Sequence, residues 1–143
     1  MTDSQAGLER IVQTTTQQPE GLVRTRGYPA WLNNCSQKLQ SAACLSNNWD
    51  SYGSLRTNSL SLTHANVFLE RVAKTVSVSE PMIAVNASGN ICFEWETTEW
   101  LMTVEITPKG IANYYYENTG SELELEGRDK GEYKTIIQHL TGH

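Results

Sequence analysis

At Pro81 the apolar residues of this chain stop recurring every three or four positions and begin to alternate. That change of period constrains the fold more than any other feature, because alternation puts one set of side chains on each face of a strand. In ICFEWE the large apolar residues are Ile91, Phe93 and Trp95; in WLMTVEI they are Trp100, Met102, Val104 and Ile106. A four-residue connection, Glu96-Thr97-Thr98-Glu99, pairs Trp95 with Trp100, Phe93 with Met102 and Ile91 with Val104. All of them then share one face, whereas a one-residue slip divides them between the two faces of the sheet.

The neighbouring turns follow from the same requirement. For Ile83 and Val85 to meet Phe93 and Ile91, the loop Ala87-Ser88-Gly89 must have three residues, with Gly89 in the left-handed position of a type I turn plus G1 bulge. Pro108-Lys109-Gly110 repeats the solution, sets Tyr114 and Tyr116 opposite Val104 and Met102, and leaves Tyr115 outside. A last strand, SELELEG, turns Leu123 and Leu125 inward and Glu122, Glu124 and Glu126 outward. A short C-terminal helix then carries Tyr133, Ile136, Ile137 and Leu140.

Before Pro81 the period is helical. Trp31, Leu32, Cys35, Leu39, Ala42 and Ala43 recur at helical steps behind Pro29, a residue tolerated at a helix start. Ala65, Phe68, Leu69, Val72, Ala73 and Val76 share the face of a second helix, for which Thr57, Asn58 and Ser59 are the candidate caps. Residues 1–30 read as an arm or accessory helix, with a short stripe of Leu8, Ile11 and Val12 broken by QQPEG; residues 31–143 read as a single domain. The predicted fold class is α+β: N-terminal helices on one face of an antiparallel meander of about four or five strands, closed by a short C-terminal helix. The outer face is too polar for a second sheet, with Glu94, Glu96, Thr103, Glu105, Asn113 and Tyr115 on it.

Charge and cysteine usage narrow the function classes. Residues 1–78 hold seven Lys/Arg against five acids, and residues 79–143 hold four against eleven, so the net −5 resides in the C-terminal half. Such a half repels phosphate backbones, and direct nucleic-acid binding through it is disfavoured. No apolar run approaches a membrane span, and the opening residues lack a signal-peptide pattern, which makes the cytoplasm the expected location. Cys35, Cys44 and Cys92 read as buried or half-buried free thiols, with neither C-x-x-C nor metal-ligand spacing.

Few residues suggest reactive chemistry. His64, His139 and His143 have no partner at the spacing of a metal site or a triad. Cys92 and His64 could form a nucleophilic pair only if the fold brought them together; packing is the simpler role for Cys92. Glu94 and Glu96 project to the same side of one strand, the arrangement of paired acids in glycosidases and metal-dependent nucleases, and also of any solvated sheet face. NASGN and TPKG are turns, not phosphate loops.

The stretch LSNNWDSYGS, residues 45–54, joins the two helices. Structural roles suffice for each residue: Asn47 or Asn48 as a left-handed helix end, Trp49 as an apolar plug over the helix pair, Asp50 in an Asx turn with Tyr52 or Gly53. The other reading has Trp49 and Tyr52 exposed as partner anchors. NNWDSYGS, the helix containing ANVFLERV, SGNICFEW and WLMTVEITPKGIANYYY together resemble an uncharacterised family of small bacterial proteins with an N-W-D-x-Y-G loop and an E-W strand. The resemblance spans residues 45–117 and rests on Asn48, Trp49, Asp50, Tyr52, Gly53, Glu94 and Trp95. Ser51, Ser54 and Ser88-Gly89 depart from it. It implies a bacterial or phage origin and the α+β arrangement, and carries no assigned activity.

The expected function is therefore a non-enzymatic protein-binding module, of the kind an inhibitor or antitoxin-like factor would be. Its partner-binding residues would be Trp49, Asp50, Tyr52, Glu94, Glu122 and Glu124, and its partner another protein, including one that itself binds nucleic acid. No cofactor, metal, membrane or direct nucleic-acid contact is expected; a homodimer through the sheet edge or the N-terminal arm is left open. The rival is a small hydrolase or nuclease working through Glu94 and Glu96. Acids along a terminal strand also serve simply to keep sheets from pairing edge to edge.

Overall fold

Alternation after Pro81 produces five strands, β1 (Met82–Val85), β2 (Ile91–Glu96), β3 (Trp100–Ile106), β4 (Ala112–Asn118) and β5 (Leu123–Asp129), in one antiparallel sheet of order β1-β2-β3-β4-β5. The computed structural model describes residues 27–141, so nearly all of the arm expected over residues 1–30 and His143 lie outside the described residues. Helices α1 (Trp31–Ala42) and α2 (Ser59–Thr75) precede the sheet and α3 (Lys134–Thr141) follows it. The fold is α+β. Among the described residues no helix is long and apolar enough to cross a membrane.

Asn58 is the cap of α2: its side-chain oxygen accepts from the Leu60 and Ser61 amides and satisfies two donors that the first turn cannot. The stripe Ala65, Phe68, Leu69, Val72 and Ala73 is buried. Phe68 is its centre, with ring centroids 5.2 Å from Phe93, 6.3 Å from Trp95 and 5.2 Å from Tyr133, the last edge-on at 90°. Helix α1 has no side-chain cap and buries Cys35, Leu39 and Ala42. Contacts to the chain entering β1 hold it: Trp31 Nε1 donates to the Val78 carbonyl at 3.0 Å, and Asn34 and Lys38 both reach Glu80. Ala43, expected on the buried face, is exposed, because the helix ends before it.

Two of the derived registers are found as expected. Ile83 and Val85 face Phe93 and Ile91, and Tyr114 and Tyr116 face Val104 and Met102. Gly89 (φ +82°) and Gly110 (φ +79°) are left-handed, as the turns require. The β2–β3 register differs by two residues. Trp95 lies opposite Met102, Phe93 opposite Val104 and Ile91 opposite Ile106. The cause is local: Thr97 Oγ1 accepts the Glu99 and Trp100 amides at 3.1 Å, and Thr97 N donates to the Trp100 carbonyl at 2.8 Å, which centres the turn on Thr98-Glu99, one residue further along the chain. An even shift leaves every side chain on its expected face, so Trp95 and Trp100 are both buried on the helix side.

Candidate functional site

The outer face of the sheet, opposite the helices, is a grid of three cross-strand rows. The first runs Ala84, Cys92, Glu105, Asn113, Arg128; the second Met82, Glu94, Thr103, Tyr115, Glu126; the third Glu96, Leu101, Glu117, Glu124. Each pairwise register is antiparallel and alternation is strict, so these residues must emerge together. Among the described residues no element packs over this face. In the third row Glu117 stands directly opposite Glu124, a like-charge pair that weakens a sheet. The Tyr115 hydroxyl donates to Glu117 Oε1 at 3.1 Å. Desolvation, that hydrogen bond and the Glu117, Glu124 and Glu126 charges push the Tyr115 phenol above its usual pKa. Glu117 is a site residue that sequence reasoning passed over, although parity from Tyr115 placed it outward.

The first row is different. Glu105 is half-buried, and its Oε2 accepts from Asn86 Nδ2 at 2.7 Å and Asn90 Nδ2 at 2.9 Å. Asn90 in turn accepts from the buried Ser61 hydroxyl of α2 at 3.0 Å, so the carboxylate ties the β1–β2 turn, β3 and the start of α2 together. The Asn90 hydrogen bond, helped by Asn86 and Asn113 and opposed by desolvation, holds Glu105 below the ordinary carboxylate value of 4.5. A carboxyl with a depressed folded pKa adds stability above its unfolded pKa and loses it as pH falls through the folded one. Stability measured by urea denaturation is therefore expected to decline below about pH 4.5 with a contribution from this site. Glu105→Gln should cost about 1 kcal/mol at pH 7, and that cost should shrink as the pH falls below the unfolded carboxyl's range. A variant whose acid limb superimposes on that of the parent protein overturns the assignment.

Beside Glu105, burial and then the Glu105 charge push the Cys92 thiol up to about 11, so it is protonated at neutral pH. His64 rises from α2 on the opposite side of the sheet, against Gly110, where an added β-carbon would come within 3.0 Å of its ring. The Cys92–His64 pair is thus not assembled. Cys35 is buried and Cys92 half-buried as expected, but Cys44 is exposed, since it follows the end of α1. Glu94 and Glu96 do share the outer side of β2. Among the described residues no group of three or more His, Cys, Asp or Glu is placed to hold a metal ion.

The 45–54 loop is closed on itself. Asn48 is left-handed (φ 61°) but does not end α1, which stops at Ala42 with Ala43 as its right-handed cap. Instead Asn48 Oδ1 accepts the Gly53 amide, and Asp50 accepts the Tyr52 and Ser54 amides and the Ser54 hydroxyl. The Ser54 hydroxyl, then the Tyr52 amide, draw the Asp50 pKa down. Trp49 does not plug the helix pair; it folds onto its own loop, donating from Nε1 to the Leu55 carbonyl at 2.9 Å, and is 36% exposed. Tyr52 is 90% exposed.

No family model, curated protein or solved structure matches the chain. The site is therefore defined by geometry alone. The loop docks on the β1–β2 turn through Leu55 N to the Ala87 carbonyl (2.9 Å) and Asn58 N to the Gly89 carbonyl (2.8 Å), which puts Trp49, Asp50 and Tyr52 at the first-row end of the sheet. Glu94 sits in the middle row. Glu124 is in the third row and Glu122, left-handed at φ 56°, is in the turn at that same end. Five of the six sequence-predicted partner residues thus fall into two groups at opposite ends of the strands, about 13 Å between outer rows, with Glu94 between them.

Proposed function

We propose that the chain is a non-enzymatic protein-binding module whose acidic outer sheet face receives a basic surface of another protein. The observation that carries this reading is the third row, where Glu117 opposes Glu124 and Glu96 flanks the same Leu101. The fold tolerates a repulsion that apolar or mixed-charge residues would avoid, and a cation laid between those carboxylates relieves it. Half-buried Leu101 and exposed Met82 on the same face supply apolar area for such a contact. Tyr52, at the opposite end, is a second point of contact for a partner large enough to span both groups. An inhibitor or antitoxin-like factor directed at a nucleic-acid-binding protein is the finer form of the same proposal, because a carboxylate grid mimics a phosphate backbone.

Titration with poly-L-lysine tests it. Binding is expected at low ionic strength, is expected to weaken as salt shortens the Debye length below about 8 Å, and is expected to fall in Glu117→Gln/Glu124→Gln while that variant gains thermal stability. Binding that ignores salt or the double variant removes the proposal. The hydrolase or nuclease reading rests on Glu94 and Glu96 standing on one side of β2. Glu94→Gln/Glu96→Gln should leave any hydrolytic background unchanged; abolished turnover in that variant would restore the enzyme.

A further inference from the structure

We propose that β5 takes up an extended segment of the partner as a sixth strand, with cationic residues on the segment's outer side and apolar residues on its inner side. This rests on the acidic-face reading and names how the partner is held. The two edges of the sheet are built differently. β1 is four residues long, follows the buried Pro81 and adjoins the chain that α1 grips through Val78 and Glu80. Shortness and a leading proline are devices that keep an edge from pairing. β5 has seven residues, pairs with β4 along its whole length and contains no proline. Beyond it the sheet has no further strand among the described residues. Alternate residues of such a strand turn their N–H and C=O groups outward, which leaves a template for another chain.

The side chains of β5 specify which chain. On the outer side Glu124, Glu126 and Arg128 are all exposed, so the stretch of the edge beside Leu123 and Leu125 presents carboxylates and the far end a single cation. Glu124 and Glu126 select a strand with cations opposite them. On the inner side the helical roof stops short: Leu123 is 42% exposed and Leu125 half-buried. Gly127 has no side chain because Tyr114 occupies the space; a β-carbon there would lie 2.7 Å from the Tyr114 hydroxyl. Apolar side chains of an added strand would therefore cover Leu123, Leu125 and the flank of the Tyr114 ring. Strand addition of this kind draws affinity from main-chain hydrogen bonds and specificity from the alternate side chains.

The test uses the full chain and four synthetic peptides of equal composition: alternating Lys and Val; the same sequence N-methylated at every Val; the same N-methylated at every Lys; and a version with the Lys and Val residues in separate blocks. The alternating peptide is expected to bind and to protect amides of Leu123–Asp129 from hydrogen exchange. One of the N-methylated peptides and the block peptide are expected to bind at least about tenfold more weakly. Equal binding of all four, no binding by the alternating peptide, or protection that avoids β5 overturns strand addition. If that happens while poly-L-lysine still distinguishes Glu117→Gln/Glu124→Gln, the acidic-face reading survives; if poly-L-lysine fails as well, both are lost.

Discussion

Trp95→Ala is expected to remove about 4 kcal/mol of stability and to lower the melting temperature by roughly 10 °C. Trp95 is among the largest fully buried side chains, 1% exposed, and contacts the Phe68 and Phe93 rings at 6.3 and 6.4 Å. Its Nε1 donates to the Ser79 carbonyl at 2.9 Å, so truncation opens a cavity and removes that hydrogen bond at the same time. A loss of that size is a large part of the 5–15 kcal/mol by which domains are typically stable. Chemical denaturation of the purified variant checks it. A cost below about 1 kcal/mol, the size of a surface change, would mean that the ring does not lie between the sheet and α2.

Gly89→Ala is expected to cost about 3 kcal/mol and Gly53→Ala only about 1 kcal/mol, although both glycines are left-handed, at φ +82° and +85°. The backbone strain is common to both. What differs is the surroundings: a β-carbon at Gly53 meets nothing within 4 Å, while one at Gly89 is driven into the Arg56 carbonyl and crowds Asn58 N at 3.3 Å. These atoms belong to the segment that docks on the turn through Leu55 and Asn58. The Gly89 variant should therefore also expose those two amides to hydrogen exchange, whereas the Gly53 variant should keep them protected. Equal costs would show that the 45–58 segment does not depend on the β1–β2 turn.

The acidic grid is largely legible in the sequence, since Glu94, Glu105, Glu124 and Glu126 follow from alternation once the core face is known. Glu105 was legible as outward but not as a structural tie, because its partners Asn86, Asn90 and Ser61 come from a turn and a helix start distant in the chain. The loop gave a mixed result. The Asx turn of Asp50 onto Tyr52 is a two-residue interaction and could be read from the sequence. Where Trp49 goes could not, because its indole had two destinations of similar worth, the helix pair or the Leu55 carbonyl. Leu123 makes the same point at the sheet edge: its face was legible, but its cover depends on how far α3 reaches.

What the sequence alone determined are the periods and their parity: which residues of each strand face the core, which helix stripe meets them, and where a glycine must turn left-handed. These are short-range consequences of side-chain alternation and backbone sterics. Pairings two residues apart satisfy the same apolar face equally well, so the β2–β3 register was decided by the Thr97 hydroxyl in the folded turn. Only the tertiary structure could separate the loop from the carboxylates, join Glu105 to α2 and, among the described residues, place β5 at the edge of the sheet, because each depends on contacts between segments that no local pattern encodes.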